Sequence, residues 1–149
     1  MTIAIHTGDS EAALSELEIC RKENYRPEKM VWVHAQNGTD SARRVLAQAG
    51  MFISLDGVSE TNFSEYVDML TFLKDRRLLH KVIISHDDGW SVLSNGSYKS
   101  VELFDNGNTQ PYSTIFTKLI PALKKNGFRQ ADVDQIMTRN VIDCFALRE

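Results

Sequence analysis

The chain has 149 residues, 42% of them hydrophobic and 25% charged. That is enough for one domain with a real core but short of the roughly 250 residues of a typical (β/α)8 barrel. The composition gives no case for general disorder, and a net charge of −3 with no basic stripe argues against a nucleic-acid partner. No segment approaches the length of a membrane-spanning helix, and the opening MTIAIHTGDS lacks the basic start of a signal peptide, so no membrane association and a cytoplasmic location are expected. Cys20 and Cys144 both sit in helix-like apolar patterns and read as buried free thiols.

Taken in order, Thr2–Ile5 is a short apolar strand that stops at His6. Thr7–Ser10 is a turn with two N-cap residues, and a helix is expected from Ser10 to Glu23 on the spacing of Ala13, Leu14, Leu17 and Cys20. Arg26 before Pro27 closes that unit. Met30–Val33 is the second strand, ending at His34, and Asp40–Ala49 the second helix, with Gly50 at its C-terminal cap. Met51–Leu55 is the third strand, ending at Asp56-Gly57, and Phe63–Arg77 the third helix. Val82–Ile84 is a fourth strand, too short for a helix and β-branched, as strands buried on both faces are. It stops at Ser85-His86-Asp87-Asp88-Gly89.

Residues from about Asp87 to Gln110 read as a long polar loop that still carries Trp90, Leu93, Tyr98, Val101, Leu103 and Phe104. Such a loop either covers a site as a lid or packs its own side chains down. A helix over Tyr112–Asn126 should kink or break at Pro121, and two short helices, Gln130–Arg139 and Val141–Leu147, end the chain. The alternation of strand and helix makes this an α/β chain with a parallel sheet, and no glycine-rich phosphate loop is present.

In such a sheet the C-terminal strand ends share one face, which gathers His6, His34, Asp56 and Asp87. A lone histidine closing a strand is ordinarily a hydrogen-bonded structural residue. Two histidines and an aspartate at equivalent topological places instead suit a divalent metal and the hydrolytic chemistry it supports.

The motifs resemble those of the phosphotriesterase family of metal-dependent (β/α)8 barrels. IHTG at Ile5–Gly8 is similar to the family's fifth-strand histidine motif, WVHAQN at Trp32–Asn37 to the sixth, ISLDG at Ile53–Gly57 to the seventh, and IISHDDGW at Ile83–Trp90 to the eighth. IPALKKNGFRQADVDQIMTRN at Ile120–Asn140 resembles the closing helices. The resemblance implies half of a TIM-type barrel, with four parallel βα units corresponding to strands 5–8, as a single domain over residues 1–149. It also implies part of a binuclear, zinc-type centre. His6 and His34 would bind the more exposed metal, and Asp87 would be ligand to the more buried one and the catalytic base. His86, Trp90 and Asp56 would touch substrate. His86 falls at a variable family position, and Asp88 is expected to cap a turn. His80 precedes its strand and should serve structure on the opposite face. Asn37 stands where some members carry an acidic proton relay. The His-x-His pair and the bridging lysine or glutamate of the family's first half do not occur in these motifs.

The function implied is hydrolysis of a small-molecule ester, lactone or phosphoester by metal-bound hydroxide. Zinc is the expected metal, with manganese, cobalt, nickel or iron compatible with the same donors. The alternative is a truncated, non-catalytic half-barrel, or a subunit that needs a separate N-terminal half. Four βα units cannot close an eight-stranded barrel, so two open edges and an uncovered apolar face are expected, with a complementary half or a homodimer as partner. Outside the family, a flavodoxin-like binding domain would be a stable monomer without metal.

Overall fold

The computed structural model describes residues 1–94, 99–103 and 108–146. Its main sheet has four parallel strands in the order β1 (Ile3–His6), β2 (Met30–Val33), β3 (Phe52–Leu55) and β4 (Val82–Ile84). Between them run α1 (Ser10–Lys22), α2 (Asp40–Gln48) and α3 (Phe63–Asp75). The element order and the parallel pairing agree with the sequence reading, and boundaries differ by one or two residues. His6, read as the residue after the first strand, is the last residue of β1 and lies opposite Val33.

Local chemistry accounts for the helices. Asp9 caps α1 by accepting the Ala12 N–H at 2.8 Å, with Glu11 in the first turn and Arg21 and Lys22 in the last, where the helix dipole favours them. Thr39 caps α2 through the Ala42 N–H at 3.2 Å. The apolar stripes meet the outer face of the sheet: Leu17, Leu46, Leu70 and Leu73 join Trp32, Ile53, Leu55 and Val82 in one buried cluster. Each such side chain contributes about 1.5–3 kcal/mol of transfer free energy.

The inner face carries the alternate residues Val31, Phe52 and Ile83. The sequence predicts this face to be uncovered, and at the N-terminal ends of the strands it is not. There α6 (Asn140–Phe145) lies across the strand starts, with the Asn140 amide donating to the Leu79 and Val82 carbonyls, the Cys144 carbonyl accepting the Thr2 hydroxyl and Cys144 packed on these three, while Ala4 at the edge is exposed and Val33 half-buried. Both cysteines are buried and free.

Two further differences follow the fourth strand. The expected polar loop contains an antiparallel pair, β5 (Trp90–Ser94) and β6 (Lys99–Leu103). The side chains of the apolar residues singled out there lie outside the described residues. The chain stays helical through Pro121, but the helix changes type just before it. A π-helical turn, Ile115–Leu119, leads directly into α4 (Ile120–Lys125), and the proline sits in the first turn of α4, where its missing N–H is tolerated. The two terminal helices also run together: α5 (Gln130–Asp134), a π-turn (Gln135–Arg139) and α6.

Candidate metal centre

Each strand of the sheet delivers one polar group at its C-terminal end, from His6, His34, Asp56 and Asp87. His34 and Asp87 both hold left-handed backbone, with φ of 63° and 53°. That conformation is strained for a non-glycine residue and recurs where a site needs a side chain turned against the run of its strand.

Asp56 organises the cluster from behind. It is 3% exposed. Its carboxylate accepts the His34 main-chain N–H at 3.0 Å, the Gln36 amide at 2.8 Å and the Ser54 hydroxyl at 3.1 Å. It also lies 2.5 Å from His34 Nδ1, where the ring N–H is the donor. A proton on Nδ1 leaves the lone pair on Nε2. That nitrogen faces His6 Nε2 at 2.5 Å, with the two rings edge to face at 88°. Both rings thus turn a nitrogen to one place, as two ligands of one cation do. The Asp56 carbonyl is held by the buried Tyr66 hydroxyl. Burial, and then the charge of Asp56, push the Tyr66 phenol well above its ordinary range, so it stays a donor.

His34, Asp56 and Asp87 bring donor atoms within 4.8 Å of one another. His6 joins this group through His34 rather than through Asp87. Two imidazoles and carboxylates suit zinc and the neighbouring divalent metals, with Asp56 in the supporting position that fixes a ligand's tautomer.

The model of the phosphotriesterase family matches residues 1–145. The chain belongs to the phosphotriesterase family. It is 25% identical over 145 residues to the phosphotriesterase homology protein of Escherichia coli, a match covering 93% of this chain and 45% of that protein. The crystal structure of the same Escherichia coli protein, with phosphate in its active site, superposes with a TM-score of 0.75 at 23% identity, over 96% of this chain and 47% of that one. A lactonase from Listeria monocytogenes gives 0.70 at 20% identity, over 92% and 42%. These superpositions show the fold: half of a TIM-type barrel. The chain spans about half the length of the relatives it matches.

Within this phosphotriesterase-family chain, other expected site residues have different surroundings. His86 is buried, and its Nε2 accepts the Ile115 N–H at 2.8 Å, so it faces the helix layer. Burial holds its pKa below the ordinary range, against the pull of Asp88. Asp56 likewise points into the protein, at His34. Trp90 opens β5, and its side chain lies outside the described residues. Asp88 ties down the far end of the loop, accepting the Tyr112 N–H at 2.6 Å and the Asn108 amide at 2.8 Å. His80 is exposed at the other end of the sheet, with Nδ1 3.1 Å from the Arg77 carbonyl.

Sequence reasoning missed three supports. Gln36 pairs with Asp56 in both directions, its carbonyl accepting the Asp56 N–H at 3.2 Å. Tyr66 looked like one more member of a core stripe. Buried Arg43 holds the turn after His34 by donating to the carbonyls of Ala35 at 2.7 Å and Gly38 at 2.8 Å. The only sequence signal for Arg43 was a charged residue beside the apolar face of α2.

Proposed function

We propose that this chain carries part of the active centre of a metal-dependent hydrolase of phosphotriesterase or lactonase type. In this reading His6 and His34 hold a divalent ion through Nε2, and zinc is the best match to the donors. When bound, the ion supplies Lewis acidity toward water and substrate oxygen. Asp56 keeps His34 in the ligating tautomer. Asp87, at an exposed strand end, is both ligand and proton acceptor. Trp90 is a substrate-contact candidate in this reading, and the substrate is a small ester, lactone or phosphoester. The observation that carries this reading is the directed chain Asp56–His34–His6, with donor atoms of Asp87 within 4.8 Å of those of His34 and Asp56.

A second reading is supported by the chain's half length relative to the proteins it matches. Three ligands, His6, His34 and Asp87, are fewer than a two-metal centre needs, so in this reading catalysis requires another (β/α)4 unit, and this chain alone is inactive.

The test is metal content by elemental mass spectrometry on chelator-free protein, followed by assay of lactones and phosphotriesters. About one equivalent of metal, lost in both His6→Ala and His34→Ala, supports the centre. Well-folded protein that takes up no zinc overturns the metal site. Metal without turnover, alone or after adding the missing unit, overturns the hydrolase.

A further inference from the structure

Both edges of the main sheet are open among the described residues, since β1 pairs only with β2 and β4 only with β3. The Thr7 N–H bonds back to the Val33 carbonyl and the Ser85 N–H to the Leu55 carbonyl. Strand alternation then turns the main-chain groups of Ala4 and His6 outward at one edge and those of Ile84 outward at the other. Each edge is flanked on its helix side by an apolar groove. Beside β1 the groove encloses about 320 Å³ and is lined by Ile3, Ile5, Ile19, Cys20, Tyr25 and Met30. Beside β4 the groove encloses about 340 Å³, with Ile84, Ile115, Phe116 and Met137 in its apolar wall and the polar strand end from Ser85 to Asp88 along its other side. Ile19 and Phe116 stand 60% and 58% exposed at these two places. Glu16, in the wall of the first groove, has one carboxylate oxygen shielded from water with no hydrogen-bond partner. A buried acceptor in that state calls for a donor from whatever fills the groove.

We propose that a second copy of this chain occupies both grooves, closing an eight-stranded parallel barrel about a two-fold axis. The two open strands lie at opposite ends of the order β1-β2-β3-β4 and run parallel, so one rotation pairs β1 of each copy with β4 of the other. The same rotation sets the helix after β4 of one copy into the groove beside α1 of the other. Their charges are complementary. Ile115–Lys125 carries Lys118, Lys124 and Lys125 and no carboxylate, whereas α1 carries Glu11, Glu16 and Glu18 ahead of Arg21 and Lys22 and is followed by Glu23, a net negative charge. Closure doubles the set of strand-end ligands around one mouth. That consequence rests on the proposed metal centre, while the docking geometry does not.

The test is sedimentation equilibrium of the full chain from low to high micromolar concentration, with zinc and after chelation. The expected mass is that of two chains. Ile19→Glu places a charge in the groove, and Ala4→Pro removes an outward N–H. Each should raise the dissociation constant about tenfold or more while leaving the circular dichroism of the monomer unchanged. Ile19→Leu should still dimerise. A monomer throughout the range, masses that keep growing past two chains, or a dimer indifferent to both substitutions would overturn the proposal. A dimer that takes up no metal sinks the metal centre and leaves the docking surface standing, and a metal-loaded monomer does the reverse.

Discussion

Replacing Gly38 by alanine tests how the turn behind His34 is built. A Cβ at Gly38 would stand 2.3 and 2.6 Å from Cη2 and Cζ2 of Trp32 and 2.9 Å from the Ser10 hydroxyl. Carbon atoms rest about 3.5–4.0 Å apart, so something must move by more than about 1 Å. The Trp32 ring has nowhere to go: it is fully buried, and its Nε1–H donates to the Thr7 carbonyl at 2.9 Å. Gly38 itself has extended backbone, with φ of −95°, which alanine adopts freely. On conformational entropy alone the substitution should therefore stabilise by about 0.4–1 kcal/mol. Overpacking costs about 1–3 kcal/mol, and contacts this short on a fixed ring belong to the upper half, about 2–3, so the clash wins and the net loss is about 1–2.6 kcal/mol. For a domain of this size that lowers Tm by roughly 2–8 °C. Urea melts of Gly38→Ala, Trp32→Phe and the double variant check it, because phenylalanine lacks the ring atoms that clash. The double variant should recover part of the loss, a coupling that double-mutant analysis isolates. An alanine variant as stable as the parent, or strictly additive energies in the cycle, would refute the reasoning.

Asp56→Asn should weaken zinc binding about 10–100-fold, because the amide can donate to His34 Nδ1 and move the ring proton to Nε2; titration calorimetry or chelator competition reads this, and unchanged affinity would remove Asp56 from the supporting role. Arg77, with φ of 60° just past the end of α3, occupies a position that suits glycine, so Arg77→Gly should stabilise by about 0.5–1 kcal/mol in urea melts. Burial pushes the Cys144 thiol up to about 11 from 9.0, against the pull of Lys81 and Lys29. Native Cys144 should then carry about a hundredfold less thiolate at pH 8 than an ordinary cysteine, and mass spectrometry should find it alkylated only on unfolding. Lys74 pairs with Asp132 at 2.9 Å. The pKa of Asp132 is lowered overall: desolvation raises it, but hydrogen bonds from the Arg129 N–H and Lys74 outweigh that. Its contribution is present above the ordinary carboxylate range and lost as pH falls through the lowered value. The pair is partly exposed, so Asp132→Asn should cost less than about 1 kcal/mol near pH 7, and the cost should shrink as the pH falls below the ordinary carboxylate range.

The strands and the helix faces were legible because each is a short-range pattern. Val82–Ile84 is β-branched and bounded by polar residues, and Leu17, Leu46 and Leu70 keep the helical period that the core requires. The strand-end positions of His34 and Asp87 were legible for the same reason, since a buried run has to stop where the chain turns polar. The direction of Asp56 was not. It depends on the left-handed backbone at His34, 22 residues earlier, which turns both the main-chain N–H and the imidazole Nδ1 toward the carboxylate. Nothing local to Leu55-Asp56-Gly57 encodes that. Arg43 and Tyr66 were obscured in a similar way, because each has one polar tip on a side chain that otherwise counts as part of the packed layer. The pair β5–β6 was missed because Asn95-Gly96 and the serines around it were read together with the strands as one stretch of polar loop.

His34 ends β2 and Asp87 ends β4, with β3 between them, so at the usual spacing of about 4.8 Å a flat sheet would hold their main chains nearly 10 Å apart. Their donor atoms nevertheless lie within 4.8 Å of each other. Side-chain reach supplies part of the convergence, and the barrel-like curvature of the sheet supplies the rest. The ligand set is therefore a gauge of curvature as well as of chemistry. If the sheet flattened, its hydrogen-bond ladder and its circular dichroism would survive, but His34 and Asp87 would separate and zinc affinity would fall. Whatever closes the barrel holds that curvature, so zinc should bind more tightly to the closed assembly than to the isolated chain. By linkage, zinc must then favour closure by the same factor. Titrating zinc into the Ile19→Glu variant and the parent chain measures that factor. Equal affinities, with the parent shown to be assembled, would mean that the site is fully formed within one half-barrel and owes nothing to closure.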